Sequence, residues 1–299
     1  MKRQKAITVS PSRISDDDLS ILSKIISPLL NVQFHVLQLP SAVLAGFEPS
    51  QIGSLVGVLM DACIPQLDQI LDPKTFQSVG LKKHAGILKD REGYPDFIHD
   101  SGFRLELKLL YVDPTGVVMK KPATPREPSA RLTQKVTLKN VNPSKDALLV
   151  IAYQLQPIPD APHLFAPTII DIGVFSMIEC IDARDARLLS KGGKWFGDYE
   201  TPAVVSKRGR VKLKARKKLN DSQYGRKESE GYDYNEDTNF GKLARTPYPP
   251  LNAFLRKYGW KKILVSDDEA TPSDLEGSEL EKEMGGADTG TVIAPSGRR

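Results

Sequence analysis

The first clear periodicity follows the polar run Ser15-Asp16-Asp17-Asp18, where Leu19, Ile21, Leu22, Ile25 and Ile26 recur at helical spacing until Pro28. This predicts an amphipathic helix with an acidic first turn, which suits the positive end of the helix dipole. A second helical pattern follows Pro49-Ser50 with Ile52, Leu55, Val56, Leu59, Met60 and Cys63, and Pro65 kinks or ends it. From Tyr94 to Tyr111 the period shortens to two, interrupted by His99-Asp100-Ser101-Gly102, as in a β-hairpin. A Pro-rich connection occupies 112–128. Ser129 to Val141 fits helix and strand templates alike: Leu132 and Val136 suit a helix, whereas Val136 and Leu138 alternate with Lys135, Thr137 and Lys139. Ala147–Tyr153 is almost continuously apolar, as expected of a strand covered on both faces. A further strand, Thr168 to Val174, leads into Ser176-Met177-Ile178-Glu179, which has capping-box spacing and opens a helix to about Leu189 before Gly192-Gly193. The order helix, hairpin, crossover, buried strand, strand, helix predicts an α/β fold with a mixed central sheet flanked by helices.

The hairpin carries the most specific chemistry. A three-residue loop Asp100-Ser101-Gly102, with Gly102 as its left-handed residue, pairs His99 with Phe103. Leu105, Leu107 and Leu109 then share one face of the second strand, and Arg104, Glu106 and Lys108 the other. The same register sets Asp96 directly opposite Glu106, and residues so placed have Cβ atoms about 4.5–5.5 Å apart. Two carboxylates in one small volume repel unless a positive charge neutralises them. A hard divalent cation does so, and Mg²⁺ is commonly held by one or two carboxylates with water and a substrate phosphate completing its shell. The alternative is a charged outer face on an ordinary hairpin, with Glu106 and Lys108 merely solvated.

Pro95-Asp96, followed after nine residues by Glu106-Leu107-Lys108, resembles the motif of the PD-(D/E)XK nuclease superfamily, and the resemblance covers about residues 50–155. It implies a restriction-endonuclease-like αβββαβ core. It further implies that Asp96, Glu106 and the backbone carbonyl of Leu107 bind Mg²⁺, and that Lys108 orients and activates the attacking water. A helix before the hairpin sometimes adds an acidic ligand in this superfamily, for which Asp61 and Asp68 are candidates. Gln134 and Lys135, on the crossover, are candidate second-layer or phosphate contacts.

Charge adds a partner to this picture. The 299 residues hold 42 Lys and Arg against 37 Asp and Glu, a net +5. Residues 266–299 alone carry nine acids against Lys282, Arg298 and Arg299, a net −6, which leaves the remainder at +11. So basic a body favours a polyanion, with the low-hydrophobicity acidic tail expected to be disordered. Lys207 to Lys218 holds eight cations in twelve residues. Alternation of Arg210, Lys212, Lys214 and Arg216 with Val211, Leu213 and Ala215 predicts a strand with one cationic face. Together with Lys207 and Arg208 it would track DNA phosphates, a solvated loop being the alternative. Trp195, Tyr199, Tyr224, Tyr232 and Tyr234 surround it, suited either to stacking on bases or to packing.

Other classes find no support. Cys63 and Cys180 are isolated from one another and from any second ligand at metal spacing, and read as small hydrophobes. His35, His84, His99 and His163 form no catalytic or zinc pattern, and Gly192-Gly193-Lys194 is too short for a phosphate-binding loop. No run approaches the roughly 20 apolar residues of a membrane span. Ala6-Ile7-Thr8-Val9 is followed at once by Ser10-Pro11, so no signal peptide is expected and the chain reads as cytoplasmic, in a prokaryotic or phage setting.

The sequence thus divides into an N-terminal helical segment (1–49), a nuclease core (50–190), a basic DNA-contacting elaboration (191–265) and the acidic tail. The expected activity is Mg²⁺-dependent endonucleolytic hydrolysis of double-stranded DNA, most like a type II restriction enzyme. Reading a palindromic site implies a homodimer. The alternatives are a structure-selective nuclease acting on junctions, damaged DNA or transposon ends, a non-catalytic DNA-binding protein, and an RNA-processing protein.

Overall fold

The computed structural model describes residues 12–71, 76–86, 93–112, 117–120, 130–132, 136–195, 201–220, 223–225 and 242–258. Six strands form one mixed sheet: β1 (Leu39–Pro40), β2 (Leu81–Lys83), β3 (Phe97–His99), β4 (Arg104–Tyr111), β5 (Asp146–Ile158) and β6 (Ala161–Ser176). Their order across the sheet is β1-β6-β5-β4-β3-β2. Only β4 and β5 run parallel; the other neighbours are antiparallel. The helices are α1 (Asp16–Ile26), α2 (Ser41–Leu44), α3 (Pro49–Cys63), α4 (Leu67–Ile70), α5 (Met177–Ser190), α6 (Lys207–Lys214) and α7 (Pro249–Arg256). Among the described residues no helix is long and apolar enough to cross a membrane.

Alternation along the strands divides the interior into two apolar layers. Leu105 and Leu107 of β4 and Ala147, Leu149 and Ile151 of β5 share one layer with Leu22 and Ile26 of α1 and Ile52, Val56 and Met60 of α3. Leu110, Leu148, Val150 and Ala152 share the other with Met177, Cys180 and Ile181 of α5 and Leu251, Phe254 and Leu255 of α7. A strand buried on both faces has no polar alternation, which is why Ala147–Tyr153 reads as a solid apolar run.

Ser176 Oγ accepts the Glu179 amide at the start of α5, the cap its spacing predicts, and Ser15 Oγ accepts the Asp18 amide at the start of α1. Pro65 stops α3 at Cys63 and leaves a single tight turn, Ile64–Gln66. β5 and β6 are longer than expected, because a two-residue loop after Ile158 lets the pair continue outward as a ribbon.

An αβββαβ core would place a helix in the crossover from β4 to β5. Among its described residues there is neither helix nor ladder strand: Arg131 bridges Lys242, Leu138–Asn140 turn, and Leu132, Val136 and Val141 pack into the second layer.

Candidate active site

Gly102 adopts φ +84°, the left-handed conformation that closes a three-residue loop, and the His99 amide donates to the Phe103 carbonyl at 2.8 Å. Phe97 then pairs with Leu105 and Ile98 with Arg104, so the register places Asp96 opposite Glu106. There the backbone ladder gives way to side chains. The Leu107 amide donates to Asp96 Oδ2 at 2.7 Å, while the Asp96 carbonyl accepts the His84 amide at 3.0 Å. Lys108, two residues beyond Glu106 on the same face, donates from Nζ to Glu106 Oε1 at 2.6 Å.

The face that holds Glu106 is not solvated. Tyr94, Leu132, Val136 and Leu148 belong to the apolar layer on that side, and the Glu106 side chain keeps 5% of its exposure. Its second oxygen, Oε2, is buried with no hydrogen-bond partner among the described residues. Burial pushes the Glu106 carboxyl up to about 7, with Lys108 opposing and the Asp96 charge adding to the rise. Burial also raises Asp96, against the pull of Lys108, the Leu107 amide and Lys83. A buried carboxylate lacking a full set of partners costs stability, so this centre is not what holds the hairpin together.

Two further residues join the centre from outside the motif. Asp61, on α3, pairs with Lys83 at the end of β2, and Lys83 Nζ lies 3.9 Å from Asp96 Oδ1. Lys83 carried no signal in the sequence, because three residues of β2 are too few to show alternation. Asp68 lies elsewhere, lining a cleft with Ser78, Lys82 and Asp100.

The acid-on-acid repulsion is met in part by these two lysines, and among the described residues no three His, Cys, Asp or Glu side chains form a metal-holding cluster. The donor set nevertheless suits a hard divalent cation. Two carboxylates and the Leu107 carbonyl supply only oxygen, Mg²⁺ retains several waters and needs few protein ligands, and Glu106 Oε2 is a buried acceptor still without a donor.

A second polar network, unforeseen from the sequence, fixes the start of β4 against β5. The Arg104 guanidinium grips Asp146 through Nε at 2.6 Å and Nη2 at 2.5 Å, the Tyr94 hydroxyl and the Asn142 amide also donate to Asp146, and Arg104 Nη2 reaches the Asn140 carbonyl at 3.1 Å. Asp146 is fully buried.

The basic segment corrects the sequence reading. Lys207–Lys214 is helix α6, not a strand, so Arg208, Arg210, Lys212 and Lys214 are distributed around a helix, and Arg216 follows its end in a left-handed conformation, φ +54°. Ser206 caps the helix by accepting the Gly209 amide at 3.2 Å. Gly209 seats it on the ribbon of β7 (Val204–Val205) and β8 (Tyr224–Gly225), where a Cβ would come within 2.5 Å of the Gln223 carbonyl. Neither Arg208, Lys212, Lys214 nor Arg216 pairs with an acid among the described residues. Trp195 is half exposed, and Lys194 lies over the Tyr224 ring. Gln134, Lys135, Tyr199, Tyr232, Tyr234 and the acidic tail lie outside the described residues.

Comparison of the chain with protein-family models, curated proteins and solved structures found no match.

Proposed function

We propose that the protein is a metal-dependent endonuclease of the PD-(D/E)XK type that hydrolyses phosphodiester bonds of double-stranded DNA, in the manner of a type II restriction enzyme. The observation that carries this reading is the opposition of Asp96 and Glu106 beside Lys108, with a buried oxygen of Glu106 left without a donor. Asp96, Glu106 and the Leu107 carbonyl would hold Mg²⁺. When bound, that ion draws electron density from the scissile phosphate and acidifies water near it. Lys108 Nζ would set a positive charge beside the attacking water and steady the hydroxide as its proton passes to solvent; the hydroxide oxygen then bonds to phosphorus as the P–O bond to the leaving sugar oxygen breaks, and that oxygen takes a proton from water. Because both carboxylates and Lys108 share one rigid strand pair, the charges are in place before substrate arrives.

The cations of α6 support a DNA substrate: Arg208, Lys212 and Lys214 carry no acidic partner among the described residues, which suits a phosphate backbone. A palindromic site would be read by a homodimer. One observation favours a non-catalytic DNA-binding protein instead, namely that Lys108 and Lys83 already compensate the carboxylates. That reading leaves Glu106 Oε2 unexplained.

The test is incubation with unmethylated plasmid DNA in Mg²⁺ and in EDTA, with Glu106→Ala in parallel and a branched duplex as a second substrate. Discrete fragments made only in Mg²⁺ and lost in the variant are expected. Cutting of the branched duplex alone would replace sequence specificity by structure selectivity, and DNA retention with no cutting of either substrate would favour the non-catalytic reading.

A further inference from the structure

Lys83 stands where the sequence assigns nothing. Its Nζ pairs with Asp61 Oδ1 and faces Asp96 Oδ1 at 3.9 Å, with the Phe97 ring beneath it at 5.1 Å. The bond from the His84 amide to the Asp96 carbonyl ties the end of β2 to the backbone of Asp96, so this approach is built into the sheet. Asp96 Oδ2 is already committed to the Leu107 amide. Oδ1 has no such bond and faces the Lys83 ammonium, while Lys108 acts on the same carboxylate. Lys83 and Asp61 retain 47% and 41% of their side-chain exposure, so the ammonium can swing without disturbing the core.

We propose that Lys83 is an internal counterion of the carboxylate centre: in the metal-free protein its ammonium is shared between Asp61, with which it pairs, and Asp96 at 3.9 Å, and Asp61 keeps it when a divalent cation takes Asp96. This rests on Asp96 and Glu106 being cation ligands. Lys83 is then a positioning residue that acts through Asp96 and competes with the metal for it. Asp61 acts on the metal chiefly through Lys83, by holding the competitor away. Direct attraction between Asp61 and the metal would instead make the two residues act independently, and this difference can be measured.

The experiment is Mn²⁺ binding to the metal-free, DNA-free protein at pH 8, followed by the electron paramagnetic resonance of free Mn²⁺. The proteins compared are wild type, Lys83→Gln, Asp61→Asn, the double variant and Lys83→Arg. Taking an exposed ion pair as the scale, Lys83→Gln binds about fivefold more tightly than wild type and Asp61→Asn about fivefold more weakly. The double variant binds as tightly as Lys83→Gln, because Asp61 has nothing left to hold, and Lys83→Arg binds as wild type does. Unchanged affinity in Lys83→Gln, or a double variant that returns to the wild-type value, overturns the proposal and leaves the nuclease reading standing. A wild type that binds no Mn²⁺ at millimolar concentration removes the nuclease reading, and the proposal with it.

Discussion

Asp96 accepts the amide hydrogen of Leu107 across the hairpin at 2.7 Å, so the first acid of the motif is fastened to the strand that carries the second. The bond needs an acceptor at Asp96 but no charge. Asp96→Asn can keep it through its amide oxygen while losing the charge that holds a cation. The variant should melt within a few degrees of wild type yet cleave DNA at least about a hundredfold more slowly, the scale seen when one aimed charge-stabilising group is removed. Thermal melts beside single-turnover cleavage check both parts, and a variant that cuts at the wild-type rate removes Asp96 from the site.

Glu106 sets the pH dependence. Its folded-state value of about 7 lies above the usual range of a free glutamate, so the folded protein keeps a proton that the unfolded chain has released. The stability this proton contributes is fully present below the unfolded value, near pH 4, and is lost as pH rises through 7. The metal-free protein should therefore melt at lower temperature at pH 8.5 than at pH 5.5 as far as Glu106 is concerned. Glu106→Gln should flatten that difference and melt a few degrees above wild type at pH 8.5. Calorimetry of both proteins at the two pH values decides it; equal pH slopes would contradict the burial of this charge.

Asp146 is the acid that holds the fold. It is fully buried and accepts from Arg104, Tyr94 and Asn142, so Asp146→Ala strands a guanidinium and leaves a hydroxyl and an amide without an acceptor. Breaking a buried pair from one side costs about 3–5 kcal/mol. Urea denaturation should show a loss of that size, whereas Asp61→Ala, whose ion pair is half exposed, should cost less than about 1 kcal/mol.

Helix α6 should contribute to DNA affinity rather than to chemistry. Replacing Arg208, Lys212 and Lys214 together by Gln removes up to three phosphate contacts, and each is worth about 0.9 in the slope of log K against log salt. Duplex binding measured in EDTA over a range of salt should lose about 2–3 of that slope, while Mn²⁺ affinity stays put. An unchanged slope would mean that this helix does not touch DNA.

The sequence was informative where local geometry decides. The alternation of Leu105, Leu107 and Leu109 is legible as the core face of β4, and the three-residue loop closed by left-handed Gly102 sets the observed register, where a two-residue Asp100-Ser101 turn would set Asp96 against Leu105. Ser176 is equally legible as a cap, since it bonds an amide three residues away. Long-range partners leave no such trace. Arg104 and Asp146 meet only because β4 and β5 pair in parallel across 42 residues of chain, and Lys83 meets Asp61 only through the packing of α3 on the sheet. The basic segment was misread because Lys and Arg alternating with Val and Leu mimics a strand. Its helix is set by the Ser206 cap and by the fit of Gly209 against Gln223, a residue fourteen positions away.

The proposed chemistry rests on Lys108 beside the pair Asp96 and Glu106, and single-turnover cleavage of an end-labelled duplex probes it without interference from product release. The reaction is run with wild type and Lys108→Met, in Mg²⁺ and in EDTA, at enzyme concentrations that saturate the DNA. Wild type should cleave in Mg²⁺ alone, and the Lys108→Met protein should bind the duplex as tightly but cut at least about a hundredfold more slowly. Equal cleavage by the two proteins, or cutting that persists in EDTA, would contradict that chemistry.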